Sequence, residues 1–279
     1  GLRRRHLDHH LASAERSASG LRGAAQRMWL DRLDADAANL RAALDTAVER
    51  GAAEPALRLV LALTWYWFLR GRLAEGIRAL KTALDLPGGP AARRGAAAAW
   101  LAGFGALAGG PSAVDPAVLD EIPDPALRDE AAWFLGYVLT TLGDMPAARR
   151  LTERALAGFR SRGDLWGTAA ATTDLLTQRM GQGDLPHPRE AEQCMREFTA
   201  LGDRWGELQA AFVRGNLAEI AGDYATATAL FERGVRTAEG LGLWPEVSYQ
   251  LSWLGRIALL VGDAPRCRDL HERAMRVAV

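Results

Sequence analysis

Residues that could carry catalysis or bind a metal are few and scattered in this chain. His6, His9 and His10 stand near its start, and His6 and His10 would share one face of a helix. No cysteine or carboxylate set completes a metal site beside them, so we predict no metal and no cofactor, and either a solvated helix face or a face that packs on an upstream domain. The chain's one lysine, in Lys81-Thr82, lacks the preceding glycine of a phosphate-binding loop. Because no nucleophile, base and acid form a readable group, we predict that the protein is not an enzyme.

Composition excludes several classes of partner. The 279 residues carry 34 basic and 34 acidic side chains, so the formal charge is zero. A neutral chain lacks the basic excess that directs proteins to nucleic acid or anionic membranes, and no apolar run reaches membrane-spanning length. We therefore predict no direct nucleic-acid contact and no membrane association. Cys194 and Cys267 lie far apart in apolar helical patterns, which is typical of reduced thiols in a cytoplasmic protein.

An internal repeat organises most of the chain. The pair Gly-Asp recurs at 143, 183, 222 and 262, with spacings of 40, 39 and 40 residues. An offset series of glycines at 163, 202 and 242 is followed closely by Trp166, Trp205 and Trp244. Two interleaved series of one period indicate two helices per repeat, because glycine ends one helix and the following aspartate can cap the next.

Amphipathic spacing between these breaks predicts an all-α array of six helical hairpins. Their first helices are expected near 56–70, 92–108, 126–142, 165–181, 204–221 and 244–261. The second hairpin is irregular, and we predict a loop with one short helix over 109–128. Pro186 and Pro188 are expected to delay the second helix of the fourth hairpin.

The segment 215–224, Gly-Asn-Leu-Ala-Glu-Ile-Ala-Gly-Asp-Tyr, resembles the core of a tetratricopeptide repeat. In this register Gly136, Gly215 and Gly255 occupy the position where the paired helices approach most closely. The period of about 39 residues exceeds the usual 34, as in MalT-like arrays. The resemblance implies a right-handed superhelical solenoid over residues 55–279, preceded by an N-terminal helical cap or linker over residues 1–54.

The stretch 29–44, which begins Trp29-Leu30-Asp31 and ends Ala42-Ala43-Leu44, is similar to a segment of large actinobacterial regulators. In those signal-transduction ATPases of the AfsR/SARP and LuxR type, it links an ATPase to a C-terminal tetratricopeptide array. The resemblance implies a sensor or protein-interaction domain that regulates an upstream ATPase and DNA-binding part. A stand-alone tetratricopeptide receptor or adaptor is the alternative, and the sequence of the intact gene would distinguish the two.

Groove positions follow from the repeat register. In tetratricopeptide arrays the second, fifth, ninth, twelfth and thirteenth positions of each first helix line a concave groove. Reading the fifth and ninth positions predicts ligand-binding residues at Trp65, Trp100, Phe104, Trp133, Tyr137, Phe212, Asn216 and Arg256. This surface would suit a peptide, a protein segment or an apolar small molecule, with Asn216 and Arg256 holding a carboxylate or backbone groups. Burial of the rings between repeats is the competing interpretation. Trp166, Trp205 and Trp244 are predicted to pack between repeats.

Overall fold

The computed structural model describes residues 1–110 and 115–277. These residues form thirteen α-helices and one 3₁₀ helix, without a strand. The helices are α1 (Leu2–Gly20), α2 (Gln26–Glu49), α3 (Ala53–Leu69), α4 (Leu73–Asp85), α5 (Ala91–Leu107), the 3₁₀ helix (Pro116–Glu121), α6 (Pro125–Leu142), α7 (Met145–Arg162), α8 (Leu165–Gly181), α9 (Pro188–Leu201), α10 (Arg204–Ile220), α11 (Tyr224–Leu241), α12 (Trp244–Leu260) and α13 (Ala264–Val277). The predicted all-α solenoid is confirmed, and each predicted first helix has a counterpart in α3, α5, α6, α8, α10 or α12.

Consecutive glycine and aspartate residues end one helix and begin the next, as the repeat pattern predicted. Gly163 and Gly202 adopt positive φ angles of 68° and 73°, a conformation that costs glycine little. The aspartates that follow accept hydrogen bonds from the first turns of α8 and α10, Asp164 from the Gly167 amide and Asp203 from the Gly206 amide. The repeat therefore ends one helix and begins the next with two consecutive residues.

The fourth hairpin departs from this pattern at its second helix. Asp184 pairs with Arg179 and caps no helix. Instead, α9 begins at Pro188, and His187 and Glu190 form a reciprocal capping box at its start. The delay predicted from the two prolines is confirmed.

Small residues let the paired helices approach, as the register predicted. A Cβ added to Gly215 would lie 2.8 Å from the buried ring of Phe231 on α11, and one added to Gly136 would lie 2.5 Å from Thr152 Oγ1 on α7. At Gly255 the added Cβ would meet His271 at 2.7 Å. All three contacts are closer than real Cβ atoms tolerate, so each glycine marks a close helix crossing.

Among the described residues, the second hairpin has no second α-helix. After α5 the described chain resumes at residue 115 with the 3₁₀ helix, whose first turn is capped by Asp115. Leu119 and Ile122 are fully buried, and Ile122 fills the space above Gly95 of α5. The predicted short helix in 109–128 is confirmed, and residues 111–114 of that range lie outside the described residues. One 3₁₀ turn thus replaces a second helix while covering the same core.

The array is curved so tightly that its first and sixth hairpins are in contact. Arg70, after α3, donates from Nη1 to the carbonyl of Gly242 at 3.0 Å. Gly71 lies against Pro245 of α12. The N-terminal helices join this closure: α1 and α2 pack on each other and α1 packs on α3, while Ala24, between α1 and α2, contacts Gly202. The first hairpin therefore meets the sixth, and the first helices face a common centre.

Two findings concern the surface and its charged groups. Within residues 1–110 and 115–277, no helix combines the length and apolar character that crossing a bilayer requires. In the same part of the chain, no group of three or more His, Cys, Asp or Glu side chains is placed to hold a metal ion.

Candidate functional site

A cavity of about 630 Å³ occupies the centre of the curled array. Its walls come from all six first helices, α3, α5, α6, α8, α10 and α12, with small contributions from Leu73 and Met145 at the starts of α4 and α7. This volume lies within the range of natural small-ligand sites. The closure between the first and sixth hairpins makes the cavity, since an extended solenoid would leave these faces apart.

The residues that line the cavity recur at fixed positions of the repeat. Most of these are not the fifth and ninth positions that were used for the prediction from sequence. The twelfth and thirteenth positions of the first helices contribute Phe68, Leu69, Leu107, Thr140, Thr141, Met180, Gly181 and Ile220. The second position contributes Gln209 and Tyr249, the fifth Phe212, and the ninth Tyr137, Thr177 and Asn216. The longer helices and tight curl bring the ends of the first helices to the centre. Reading all five groove positions would have found most of this wall.

Aromatic rings form two groups within the lining. Phe68, Tyr137 and Trp205 make one group, with centroids 5.4 Å apart for Phe68 and Tyr137 and 6.3 Å apart for Tyr137 and Trp205. Phe212, Tyr249 and Trp253 make the other, with Phe212 lying 5.0 Å from Tyr249 and 5.3 Å from Trp253. The cavity wall thus combines two groups of rigid aromatic rings with a few polar residues.

Asp174 of α8 is a buried carboxylate in the cavity wall. The residue is 7% exposed, and its Oδ2 accepts no hydrogen bond. Burial raises the pKa of Asp174 to about 8, and the nearby indole N–H of Trp133 only partly opposes this shift. That indole nitrogen forms no hydrogen bond of ordinary geometry. A buried acid whose oxygen accepts no hydrogen bond is costly to the stability of the fold.

Glu246 of α12 is a second buried acid in the same wall. Its Oε1 accepts from Trp205 Nε1 at 3.1 Å and from Gln209 Nε2 at 2.9 Å, which leaves Oε2 available to the cavity. Burial raises the pKa of Glu246 to about 7, and the two donors oppose that shift. Tyr137 stands near both acids: burial, and then Glu246 and Asp174, raise the pKa of its phenol well above the ordinary value.

Three predicted ligand-binding residues line this cavity, namely Tyr137, Phe212 and Asn216. Tyr137 is partly exposed there, whereas Asn216 uses its amide to donate to the Phe212 carbonyl at 2.9 Å. Whether these residues bind a ligand stays a prediction. Their place in the wall agrees with the predicted groove positions, which are the ninth position of α6 and the fifth and ninth positions of α10.

The exposed aromatic groove predicted at Trp65, Trp100, Phe104 and Trp133 is corrected. The four side chains are buried, and none lines the cavity. Trp100 stacks on Phe134 with centroids 3.8 Å apart, inside the contact between α5 and α6. Trp65 and Trp133 lie beneath the cavity, where Trp65 meets Trp205 edge-on at 4.8 Å. The curl of the array, which the repeat pattern does not report, presses these rings against neighbouring helices.

Arg256 also lies outside the cavity. Its guanidinium pairs with Glu219 at 2.7 Å and stands 5.6 Å from the centroid of Trp253, whose ring lines the wall. Arg256 is thus placed apart from Asn216, and the charged groups in the wall are acids. Whether the two residues hold a carboxylate or backbone groups of a ligand stays a prediction.

Two of the three recurring tryptophans are buried, and the third is half-exposed. Trp166 and Trp205 are buried between repeats as predicted, whereas Trp244 is 48% exposed and that prediction is wrong. Trp205 also reaches the cavity, a role that its packing position concealed.

Comparisons with known proteins support the fold. No protein-family model and no curated protein matches the chain. A solved structure of a signal transduction ATPase with numerous domains, with a tetratricopeptide repeat sensor, from Pyrococcus horikoshii is similar at 13% identity and a TM-score of 0.58. The match covers 89% of this chain and 39% of that protein. BtubC from P. vanneervenii is 16% identical over 97% of this chain and 90% of its own length, with a TM-score of only 0.43.

At this identity the likeness to the archaeal ATPase establishes a shared fold, a tetratricopeptide-like helical array. This chain spans about two fifths of that protein's length.

Proposed function

We propose that this chain is a non-enzymatic sensor domain that binds a small ligand in its central cavity and regulates an attached signal-transduction ATPase. The observation that carries the proposal is the Asp174 carboxylate, buried without a partner in the wall of a cavity of about 630 Å³. Proteins rarely keep such a group in a purely structural core, because an apolar residue would be more stable there. A ligand that pairs with it offsets that cost.

The shape of the cavity favours a small molecule, or one side chain of a peptide, over a broad protein surface. Its walls converge from six helices around one centre, although part of the cavity is open to solvent. Rigid rings and a few inward polar groups are the usual content of small-ligand sites. A protein or peptide segment remains a partner that the fold would accept on its outer faces.

Closure of the array suggests how binding would be transmitted. The contacts of Arg70 with Gly242 and of Gly71 with Pro245 hold the first hairpin against the sixth beside the cavity. A ligand that touches both α3 and α12 would bind the curled form more tightly than an opened one. Binding would then shift the population toward the curled form by that difference in affinity. The position of the N-terminal helices at this closure would pass the change to an upstream domain.

The resemblance of segment 29–44 further suggests a transcriptional regulator of the AfsR/SARP or LuxR type acting in the cytoplasm, with a DNA-binding part outside this chain. A stand-alone receptor or adaptor is the second candidate. Sequencing the intact gene separates them, because a phosphate-binding loop and a DNA-binding domain either accompany this chain or do not.

Filling the cavity tests the proposal directly. Thr177 lines the wall on α8 and is half-buried, so Thr177→Phe would place a ring in the cavity with little strain on the core. We expect the full-length protein carrying this change to fold and to lose ligand-dependent control of its ATPase. Thr199→Phe, on the exposed face of α9, is the matched control and should leave control intact. Unchanged regulation in the Thr177 variant would refute a sensing role for the cavity.

A further inference from the structure

The described wall of the cavity contains two acidic side chains and no basic one, so a bound cation would be the group that favours their ionised forms. Asp174 and Glu246 are its charged residues, and no Arg, Lys or His lies among the described residues of its wall. The groups that influence the pKa of either acid are neutral donors and burial itself, with no basic side chain among them. A cationic ligand entering this site would lower the pKa of both acids and pair with their carboxylates, because no cation of the described wall competes for them.

Other buried acids of the chain have partners. Asp203 accepts hydrogen bonds from Trp166 Nε1 at 2.6 Å and from the Gly206 amide at 2.7 Å. Asp129 pairs with Arg162, and Glu219 pairs with Arg256. Asp174 makes no ion pair within the described chain, its polar neighbour is the Trp133 indole and its Oδ2 accepts no hydrogen bond; among these four buried acids it is also the one that lines the cavity.

The surrounding rings suit a positive charge as well as an apolar body. The faces of aromatic rings carry partial negative charge and attract cations, most strongly where water is excluded. Tyr137 and Trp205 belong to one ring group, and Tyr249 lies near Glu246 in the other. Both carboxyl groups therefore stand near aromatic rings, Glu246 beside Trp205 and Tyr249, and Asp174 close enough to Tyr137 to raise the pKa of its phenol.

We propose that the cavity binds a protonated organic amine with an apolar body, its N–H groups donating to Asp174 and Glu246 and its body packed between the two ring groups. This inference rests on the proposed sensing function and names the chemical class of its ligand. An amine with N–H donors fits better than a quaternary ammonium, because the unpartnered Oδ2 of Asp174 requires a donor.

Three probes of one shape test the inference on the 279-residue chain. They are 2-phenylethylamine, its N,N,N-trimethyl derivative and the neutral 2-phenylethanol, titrated while tryptophan fluorescence is recorded, since Trp205 and Trp253 line the cavity. We expect the amine to bind about tenfold or more tightly than the alcohol, with the trimethyl derivative between them. Equal binding of the amine and alcohol, or no binding of any probe, would overturn the inference.

Two near-isosteric variants locate the effect. Asp174→Asn and Glu246→Gln should each weaken amine binding by about tenfold while leaving the binding of the alcohol and the helical circular-dichroism signal unchanged. Glu219→Gln is the control, a buried acid outside the cavity, and should leave amine binding unchanged. If Glu219→Gln weakened binding as much as Asp174→Asn, the assigned site would be wrong.

The result also separates this inference from the function it rests on. If the amine fails while Thr177→Phe still abolishes regulation in the full-length protein, the cavity is a sensor for another chemical class. If Thr177→Phe leaves regulation intact, the proposed function fails, even where the amine binds.

Discussion

Asp203 and Asp174 are both aspartates on first helices, and both are buried, yet the regions around them differ in kind. Asp203 begins α10 at the closure, where the Gly206 amide, Trp166 and Gln26 all donate to it. Asp174 sits in the middle of α8, in the cavity wall, where its Oδ2 receives no donor. Burial raises the pKa of each acid, but only at the closure do several neutral donors oppose the shift.

This difference separates a structural region of the array from the cavity. At the closure, the buried Asp203 is held by Trp166, Gln26 and the Gly206 amide, and we call this hydrogen-bonded group the clasp. In the cavity, one polar group has been left unmatched within a site large enough for a ligand. The two regions are joined by Trp205, which packs in the closure and donates to Glu246 in the wall.

The largest effect should come from the core beneath the cavity. Trp133 is 1% exposed and packs beside Trp65 and Trp166. Trp133→Ala should lower the free energy of unfolding by about 3–5 kcal/mol, because a large cavity would open in packed surroundings. Urea denaturation measures the change. The matched control is Trp244→Ala, half-exposed, which should cost less than about 1 kcal/mol. A stable Trp133 variant with a selective ligand-binding defect would restore this ring to the site.

The clasp itself should give the next largest effect. Asp203→Ala removes the helix cap and leaves the buried indole N–H of Trp166 without an acceptor, so we expect a loss of about 3 kcal/mol. Asp164 occupies the same repeat position and caps α8 without such partners, so Asp164→Ala should cost only about 1 kcal/mol. Thermal unfolding of the two variants measures the difference. Equal losses would mean that the buried network adds nothing beyond the cap.

The pH dependence of folding stability distinguishes Asp174, the aspartate in the cavity wall. The pKa of Asp174 is about 8 in the folded protein and near 3.8 when unfolded, so the folded state binds the extra proton between those values. Stability must therefore fall as pH rises from about 4 to about 8. Asp174→Asn removes this loss, so at pH 9 it should be more stable than the parent by roughly 1–3 kcal/mol, a range limited by solvent in the open cavity.

At pH 4 the parent and the Asp174→Asn variant should have similar stability. Urea midpoints at the two pH values provide the measurement. Glu246, with a pKa of about 7, contributes a slope of the same sign that the variant retains. A parent whose stability does not depend on pH over this range would contradict the burial of Asp174 as an unpaired acid.

Sequence reasoning reached the array, its period and its helix boundaries because glycine and aspartate punctuation is local. Gly202-Asp203 ends one helix and starts another wherever the chain goes next. The same local pattern could not reveal the curl, which depends on contacts between residues as distant as Arg70 and Gly242. The groove prediction therefore named Tyr137 but placed Trp100 and Trp133 on a surface that the curl removes.

The two acids of the cavity wall were missed for a related reason. Asp174 is the sixth position of the repeat register, directly after Thr173 at the fifth, and Glu246 lies in the first turn of α12. Both are outside the groove positions of an extended array. An aspartate in the middle of an otherwise apolar and small-residue helix was the available signal. Within 165–177 of α8, Asp174 is the one charged residue, and a charge on an apolar helix face is informative in itself.

The smallest effect should appear at Glu219, a third buried acid, whose partner is an exposed arginine rather than a set of buried donors. Its side chain is 6% exposed, but its partner Arg256 is 58% exposed and held at the surface. Because solvent and salt can replace much of that cation's contribution, Arg256→Gln should cost about 1 kcal/mol or less, and added salt should reduce the difference. Chemical denaturation at low and high ionic strength measures both quantities. Amine affinity should be unchanged, since Arg256 lies outside the cavity. A loss above 3 kcal/mol would place Glu219 with the clasp, and a changed affinity would return Arg256 to the ligand site.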